Sequence, residues 1–359
     1  MMKLLQIRYF TLWLLFLLGI GIADAKTFRF DYQKSIDVAG GSELNISNTD
    51  GRIEIVGNSG GQVVINAVKY VRAADETEAE ELGANIEIKV NRNNNRISIQ
   101  TNYLRDSERS RSFWSRLFGS GPDTYGGVDY SITVPQDCRL EIDNGAGDIA
   151  VSDAKGDLFI NSSSGDLRLF AITGDIDIEK AGSGDLNLSE IDGDIAVSAT
   201  SGDLSLESIS GASDIRMTNG NIRGNTIVGS VIVTQSSGDF LMKRLSGDLR
   251  LRTNAGSVDI EQDSGAVDIV SQAGDINIRT ELDTYHDCSV RTSAGRILFA
   301  VPETAAGVFK LETSGGEIKT DLQLAVRSIT RNRLVGESGS GGPKITLNTA
   351  SGYIELMKY

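Results

Sequence analysis

The chain has 359 residues, including 40 glycines, 4 prolines, 2 cysteines and 1 histidine, and its formal net charge is −14. One histidine excludes a multi-histidine metal site, and two cysteines exclude a zinc–cysteine cluster and a disulfide framework. The negative charge argues against binding of nucleic acid, which normally requires a basic surface. Hydrophobic residues make up 40% of the chain and charged residues 23%, as is ordinary for folded proteins.

The first 25 residues have the pattern of a bacterial secretory signal peptide. Lys3 and Arg8 form a basic region, and residues 9–22 are an apolar run that is short for a membrane span. Ala23-Asp24-Ala25 then provides a cleavage site. We therefore expect 1–25 to be removed and the mature protein to be exported, to the periplasm, the outer membrane or the cell surface. The alternative is an uncleaved N-terminal anchor.

Residues 26–138 contain short strand-like runs and one predicted helix. The helix covers 75–82 (DETEAEEL), with Asp75 as its N-cap and Glu78 in the capping-box position. After it, 86–99 alternates apolar and polar residues on both sides of an asparagine-rich turn, which predicts a hairpin. We interpret this section as the irregular first part of the repetitive fold described below, and as a cap at one of its ends.

Within this section, residues 105–119 combine arginines with large apolar side chains at helical spacing. One interpretation is a docking element for an anionic membrane surface or for a partner protein. The other is a loop whose aromatic side chains pack back on the acidic body of the protein while the arginines stay in solvent. The residues concerned are Arg105, Arg109, Arg111, Phe113, Trp114, Arg116, Leu117 and Phe118.

Residues 139–280 repeat a nine-residue unit. Fifteen glycines recur at intervals of nine from Gly147 to Gly274, with one interval of ten. The residues two and four positions after the glycine are apolar in every unit, with the exceptions of Ser213 and Gly224. Apolar residues two apart, with polar residues between them, are typical of short strands with one buried face.

A longer period lies within the shorter one. The residue two before the glycine is Ile or Leu in every second unit, as at Ile172, Ile191 and Ile209, and is small or polar in the others. One repeat therefore has 18 residues, with two strands and two turns, and such repeats must stack because none can bury its own apolar face. The sequence predicts an all-β fold, a two-sided parallel β-solenoid whose 18-residue coils consist of two nonapeptide halves.

Ten of the fifteen glycines are followed by aspartate. In a stack of coils these carboxylates would form a ladder that could bind calcium, as in nonapeptide β-rolls. The alternative, which the single glycine of each unit favours, is that each aspartate accepts backbone N–H groups of a turn. Calcium is the one cofactor that the sequence suggests. The aspartates are Asp148, Asp157, Asp166, Asp175, Asp185, Asp194, Asp203, Asp239, Asp248 and Asp275.

The cysteines and the histidine do not suggest a catalytic centre. Cys138 and Cys288 are about eight coils apart, or about 40 Å along the stack, so we expect two buried thiols and no disulfide. His286 is close to Cys288 in sequence, but close neighbours on a strand do not aim at a common atom. Because 139–280 has no long loop that could build a cleft, we expect no enzyme.

The C-terminal section, 281–359, resumes the repeat loosely. Within it, 336–342 (GESGSGG) is predicted to be a flexible or turn-rich excursion. The chain thus divides into the signal peptide, the irregular section to residue 138, the regular solenoid of 139–280 and this last section. The irregular sections are expected to cap the two open ends of the stack, which would otherwise promote aggregation.

The Ser-Gly-Asp-Leu and Gly-Asp-Ile units of 147–278 and the closing stretch 339–356 resemble the bacterial putative-adhesin β-strand-repeat proteins, over about 36–359. The resemblance implies a right-handed β-solenoid with a surface or envelope role and no catalytic residues. We therefore expect a non-enzymatic structural or binding protein of the cell envelope, with a glycan or an envelope protein as its partner. The alternatives are a calcium-stabilised secreted β-roll and a polysaccharide-active enzyme.

Overall fold

The computed structural model describes residues 26–38, 40–104, 126–282 and 284–359. These residues form a first sheet of 15 strands and a second sheet of 16 strands, whose inner faces enclose one apolar core. Neighbouring strands are mostly parallel and come from successive coils. The predicted two-sided parallel β-solenoid is therefore confirmed. The predicted signal peptide and the segment 105–119 lie outside the described residues.

The N-terminal section builds one end of the stack. Its described elements are β1 (Lys26–Asp37), β2 (Glu43–Asp50), β3 (Ile53–Asn58), β4 (Gln62–Ala73), α1 (Glu76–Ala84), β5 (Ile86–Asn93), β6 (Arg96–Tyr103) and β7 (Gly126–Pro135). Strands β2 and β3 form one coil, and β6 and β7 lie in parallel beside it as a second, outer coil. Antiparallel β4 and β1 extend the first sheet, and antiparallel β5 extends the second, so this end departs from the regular coil.

The helix α1 closes this end. The Asp75 carboxylate accepts a hydrogen bond of 2.9 Å from the backbone N–H of Glu78, and the Glu78 carboxylate accepts one of 2.8 Å from the N–H of Ala74. The predicted capping box therefore forms, although it reaches one residue further back than its usual geometry. The helix also runs two residues beyond the predicted end, and Gly83 in its last turn lies against the ring of Phe30.

The regular section places odd-numbered strands in the first sheet and even-numbered strands in the second. Its strands are β8 (Arg139–Ala146), β9 (Ile149–Ser152), β10 (Leu158–Ser162), β11 (Leu167–Thr173), β12 (Ile176–Lys180), β13 (Leu186–Asp192), β14 (Ile195–Ala199), β15 (Leu204–Ser210), β16 (Ser213–Asn219), β17 (Ile222–Val228), β18 (Val231–Ser237), β19 (Phe240–Ser246), β20 (Leu249–Ala255), β21 (Val258–Ser264), β22 (Val267–Ala273) and β23 (Ile276–Thr280). Leu186 pairs with Leu204, and Leu204 with Ile222, so the predicted 18-residue coil is the stacking unit.

The repeated glycines are required because the coils stack so closely at the turns. Gly220 has a φ of +121°, and a Cβ atom there would lie 1.9 Å from the carbonyl oxygen of Gly202 in the preceding coil. Neither the backbone conformation nor the available space accommodates an L side chain. Each 18-residue coil has two such turns, and each turn contacts the backbone of the equivalent turn one coil away. Glycine is therefore needed every nine residues.

The C-terminal section does not stack its coils in chain order. Its strands are β24 (Cys288–Ala294), β25 (Ile297–Val301), β26 (Gly307–Thr313), β27 (Ile318–Thr320), β28 (Ala325–Thr330), β29 (Arg333–Ser338), β30 (Lys344–Ser351) and β31 (Ile354–Lys358). The last coil, β30–β31, lies between β24–β25 and β26–β27. Strands β29 and β28 then extend the second sheet in antiparallel pairing. The predicted excursion of 336–342 is therefore in part wrong, because 336–338 end a strand.

Candidate binding surface

The ten aspartates that follow the repeat glycines form two ladders at opposite corners of the coil. Those before the strands of the first sheet are Asp148, Asp166, Asp185, Asp203, Asp239 and Asp275, and those before the strands of the second sheet are Asp157, Asp175, Asp194 and Asp248. In each ladder a carboxylate accepts the backbone N–H of the equivalent residue in the next coil. The bond from Asp166 N–H to Asp148 is 2.9 Å long, and that from Ala212 N–H to Asp194 is 2.8 Å.

Arginines hold the remaining oxygens of several ladder carboxylates. Arg223 donates to Asp203 at 2.8 Å, and the backbone and side-chain N–H groups of Asn221 donate to the same carboxylate. The Arg223 hydrogen bond, followed by the backbone N–H of Asn221, lowers the pKa of Asp203. Among the described residues, no three acidic, cysteine or histidine side chains are grouped to hold a metal ion. These contacts agree with the turn-capping interpretation of the aspartates.

A shallow depression of about 370 Å³ lies on the outer face of the second sheet. Five residues that pair in sequence across β10, β12, β14, β16 and β18 form one column along it. They are Phe159, Asp177, Ala196, Asp214 and Ile232. The column therefore presents an apolar side chain at each end, about 19 Å apart over four coil steps, with two carboxylates and a small side chain between them.

The charges around this depression are mostly negative. Asp175 and Asp194 of the second ladder line its edge beside Asp177. Arg216 forms an ion pair of 2.7 Å with Asp214. At the other end, the guanidinium of Arg139 stacks 4.7 Å from the ring centre of Phe159. The depression thus combines exposed apolar surface with carboxylate acceptors, a mixture that suits a ligand carrying both hydroxyl or cationic donors and apolar faces.

A second depression, of about 480 Å³, lies where strands of the first sheet end and the chain turns into the second sheet. It contains Asp153, Lys155, Glu190 and Asp192, and so also carries mixed charge. Non-glycine residues at this corner adopt a left-handed backbone conformation. They are Asp153, Ala171, Glu190, Ser208, Thr226 and Arg244, with φ between +51° and +58°. Nothing in the amino-acid sequence marks these positions, because their side chains differ at every coil.

The residue that sequence reasoning missed most clearly is Lys180. Its side chain points inward at the end of β12 and is only 2% exposed. The Nζ atom donates to the carbonyl oxygens of Gly165 and Ser183, at 2.8 and 2.6 Å. Burial lowers the pKa of Lys180, and the nearby carboxylates of Asp166 and Asp185 oppose that shift. The 18-residue period could have shown it, because equivalent positions carry polar residues in other coils.

The other residues considered from the sequence lie apart from these features. His286 is exposed in the connection before β24. Cys138 and Cys288 are buried and form no disulfide, which confirms the prediction of two thiols without a disulfide. Within the described part of the chain, no helix is long and apolar enough to cross a membrane. The predicted docking residues 109–118 lie outside the described residues.

Comparisons with known proteins identify the repeat. A family profile described as Toastrack DUF4097 matches residues 41–248 and 243–357. No curated protein matches the chain. The similar solved structures include a putative cell adhesion protein from Clostridium sporogenes, which is 10% identical, with 92% of this chain and 100% of that chain covered and a TM-score of 0.20.

Two other solved structures are similar over nearly their whole length. A putative adhesin from Bacteroides fragilis is 13% identical, with 93% of this chain and 97% of that chain covered and a TM-score of 0.27. A putative lipid binding protein from Parabacteroides distasonis is 11% identical, with 92% and 96% covered and a TM-score of 0.22.

Proposed function

The chain belongs to the Toastrack DUF4097 family, and we propose that it is an exported, non-enzymatic binding protein of the cell envelope that holds glycans in an adhesin-like manner. The observation that carries the proposal is the column of Phe159, Asp177, Ala196, Asp214 and Ile232 on the outer face of the second sheet. Parallel pairing of successive coils places these residues side by side across the strands, so an extended ligand can lie along them.

The chemistry of the column suits a sugar chain. Carboxylates accept hydrogen bonds from ligand hydroxyls, and Asp177 and Asp214 place two such acceptors on the same face, two coils apart. Apolar side chains contact the C–H faces of sugar rings, which Phe159 and Ile232 can do at the two ends. The site is open and shallow, which favours binding of a polymer over enclosure of a small substrate.

The proposal is tested by measuring binding of the purified protein to a glycan array and by assaying the same glycans for cleavage products. We expect one or more polysaccharides to bind without being cleaved, and the double variant Asp177→Ala/Ile232→Ala to weaken binding by at least about tenfold. The matched control is Asn187→Ala/Ser205→Ala, an outward pair of neighbouring residues on the first sheet. Cleavage of a bound glycan, or equal binding by both double variants, contradicts the proposal.

Export is tested separately. We expect the mature protein to begin at Lys26 and to be recovered from the periplasm, the outer membrane or the cell surface of a bacterium that expresses the full chain. N-terminal sequencing of the protein from each fraction measures both points. Recovery of the uncleaved chain in the cytoplasm contradicts the proposed location, whereas the glycan experiment on purified protein does not depend on it.

A further inference from the structure

The two ends of the stack are finished differently. At the N-terminal end, α1 lies over the core, and its Ala79 has no exposed surface. At the C-terminal end, the first sheet stops at β27, whereas the second sheet continues through β29 to β28. Leu322 and Leu324 cover part of this overhang, and Leu324 lies against Gly336 of β29. The inner face of β28 therefore extends beyond the elements that cover the rest of the core.

Strand β28 exposes all six of its residues, including two large apolar side chains. Val326 is 51% exposed and Ile329 is 67% exposed. An irregularity at Arg327 sets Val326 opposite Gly336 and Ile329 opposite Leu334. Gly336 and Leu334 are both buried on the inner face of β29. Val326 and Ile329 consequently lie on one face, although they are three residues apart, and they form an apolar pair at the free edge of the sheet.

The edge of β28 is open for pairing. It is the last strand of the second sheet, so the backbone groups on its outer side have no neighbouring strand within the described residues. Such an edge, with apolar side chains and little charge, is a template for another strand unless something covers it. The sole charged residue of β28, Arg327, forms an ion pair with Glu337 of β29, so its charge is already balanced.

We propose that a second copy of this chain covers the edge, through antiparallel pairing of β28 with β28 about a two-fold axis. The segment Ala325–Thr330 is complementary to itself in one register, which centres on the bond between Arg327 and Ser328. In that register Val326 faces Ile329 of the other copy at both ends of the centre, and Ala325 faces Thr330. Apolar side chains meet on the inner face, and each arginine faces a serine rather than a second arginine.

The two-fold arrangement also fits the irregular backbone of the strand. Both copies carry the same irregularity at Arg327, and the two-fold axis places Arg327 of one copy beside that of the other. The residues before and after the irregularity therefore stay in register. Arg331 follows β28 in the turn to β29, so the antiparallel arrangement sends the two copies of this residue to opposite ends of the interface. The contact is closed, because each copy uses its single β28 edge, and it yields a dimer and not a filament.

A disulfide trap tests this register. In Ala325→Cys/Thr330→Cys, each new thiol faces its counterpart on the other copy, and the two positions within one strand are about 16 Å apart, too far for an internal bridge. Both natural cysteines are buried. We expect mild oxidation of the purified protein to give a covalent dimer. The control Asn187→Cys, exposed on the first sheet, should give no covalent dimer; equal crosslinking of both proteins overturns the proposal.

Sedimentation of the protein without new cysteines gives an independent readout. We expect twice the mass of one chain at micromolar concentration, and the mass of one chain for Val326→Lys/Ile329→Lys, because a charge on the inner face prevents edge pairing. Both side chains are exposed in the single chain, so the melting temperature of the variant at low concentration should not fall. Val228→Lys, at an exposed residue of β17, should remain dimeric. A monomer at all concentrations, a longer oligomer, or a dimer that persists in the double lysine variant overturns the proposal.

Discussion

The ammonium group of Lys180 donates a hydrogen bond of 2.8 Å to the carbonyl oxygen of Gly165, one coil earlier in the stack. This pair closes a corner of the core, where the turn carbonyl would otherwise face apolar side chains. In another coil Gln235 closes the same corner by donating to Gly220, and Gln262 makes the equivalent bond to Gly247 at the opposite corner. A neutral donor of sufficient reach can therefore take the place of the ammonium group, and the position does not require a charge.

The first prediction follows from that equivalence. Lys180→Gln should keep the fold at no cost near neutral pH, whereas Lys180→Met should lower the free energy of unfolding by about 1–3 kcal/mol, because it leaves turn carbonyls without a donor. Burial lowers the pKa of Lys180 from 10.5 in the folded state. The unfolded chain then binds more protons between the two pKa values, so this residue adds stability as pH rises through that window.

Urea unfolding of both proteins at several pH values measures this effect. The difference in stability between the natural protein and Lys180→Gln should change in favour of the natural protein as the pH approaches 10.5. Tyr70 and Tyr130, whose pKa values burial raises to about 12, affect both proteins alike and cancel in the difference. A difference that stays constant over this range would show that the charge of Lys180 has no cost in the fold.

The second prediction concerns Asp203, which joins two coils through the backbone of Asn221. Asp203→Ala should lower the free energy of unfolding by about 1 kcal/mol, since one turn N–H loses its acceptor. Asp203→Asn should retain that acceptor, because Asn221 performs the same role toward Asp239 in the next coil. Chemical denaturation of the two variants at neutral pH makes the comparison, and equal losses would show that the ladder bond itself contributes nothing.

Acid titration separates the charge of Asp203 from its hydrogen bond. The hydrogen bond from Arg223, with the N–H of Asn221, lowers the pKa of Asp203 from 3.8. The stability that this carboxylate contributes is complete above pH 3.8 and is lost as pH falls through the lower, folded-state pKa. As the pH falls from about 4 to about 2, Asp203→Asn should therefore lose less stability than the natural protein.

The third prediction is that calcium does not stabilise the solenoid. One oxygen of each hydrogen-bonded ladder carboxylate faces a backbone N–H, and arginines reach several of the others. Calcium needs six to eight oxygen ligands, which one carboxylate per coil corner cannot provide without breaking those bonds. The melting temperature in about 5 mM calcium should equal that in a chelator. A rise of several degrees with calcium but not with magnesium would restore the β-roll interpretation.

The regular section could be predicted well from the sequence because glycine marks each position where the turns of neighbouring coils are in contact. Gly220 and its equivalents can only be glycine where turns stack, so their spacing reveals the coil length. The order of the C-terminal coils was not predictable in this way, since Ile345 and Ile354 carry the same strand pattern wherever the coil lies in the stack. The column from Phe159 to Ile232 was missed because outward positions follow no apolar rule, and pairing across coils is needed to join them.

The fourth prediction tests the stacking constraint at the turns. Gly220→Ala should destabilise the protein by more than about 3 kcal/mol, because its Cβ would overlap the carbonyl of Gly202 at an unfavourable φ. Gly61→Ala is the control: it lies outside the stacked turns, and its nearest neighbour would be the carbonyl oxygen of Val38, 3.6 Å away. Thermal unfolding of both variants measures the contrast. Similar melting temperatures would show that the turn can relax around a methyl group.

The fifth prediction concerns Ser213, which interrupts the apolar pattern of the second sheet. It faces the core between Ile195 and Val231 of the adjacent coils, and within the described part of the chain its hydroxyl oxygen has no hydrogen-bond partner. A buried hydroxyl without a partner is unfavourable, and valine removes it while adding one more heavy atom to the core. Ser213→Val should therefore raise the free energy of unfolding by about 1 kcal/mol.

Denaturant midpoints of Ser213→Val and of Ser205→Val provide the measurement. Ser205 lies on the outer side of β15, paired with Asn187 and Arg223 of the adjacent coils, so the same substitution there removes no buried hydroxyl and should leave stability nearly unchanged. A loss of stability in Ser213→Val would mean that the core at this coil is too narrow for two methyl groups. In that case the serine is required by the volume of the core and not by a hydrogen bond, since the neighbouring Ile195 and Val231 already fill the space between the sheets.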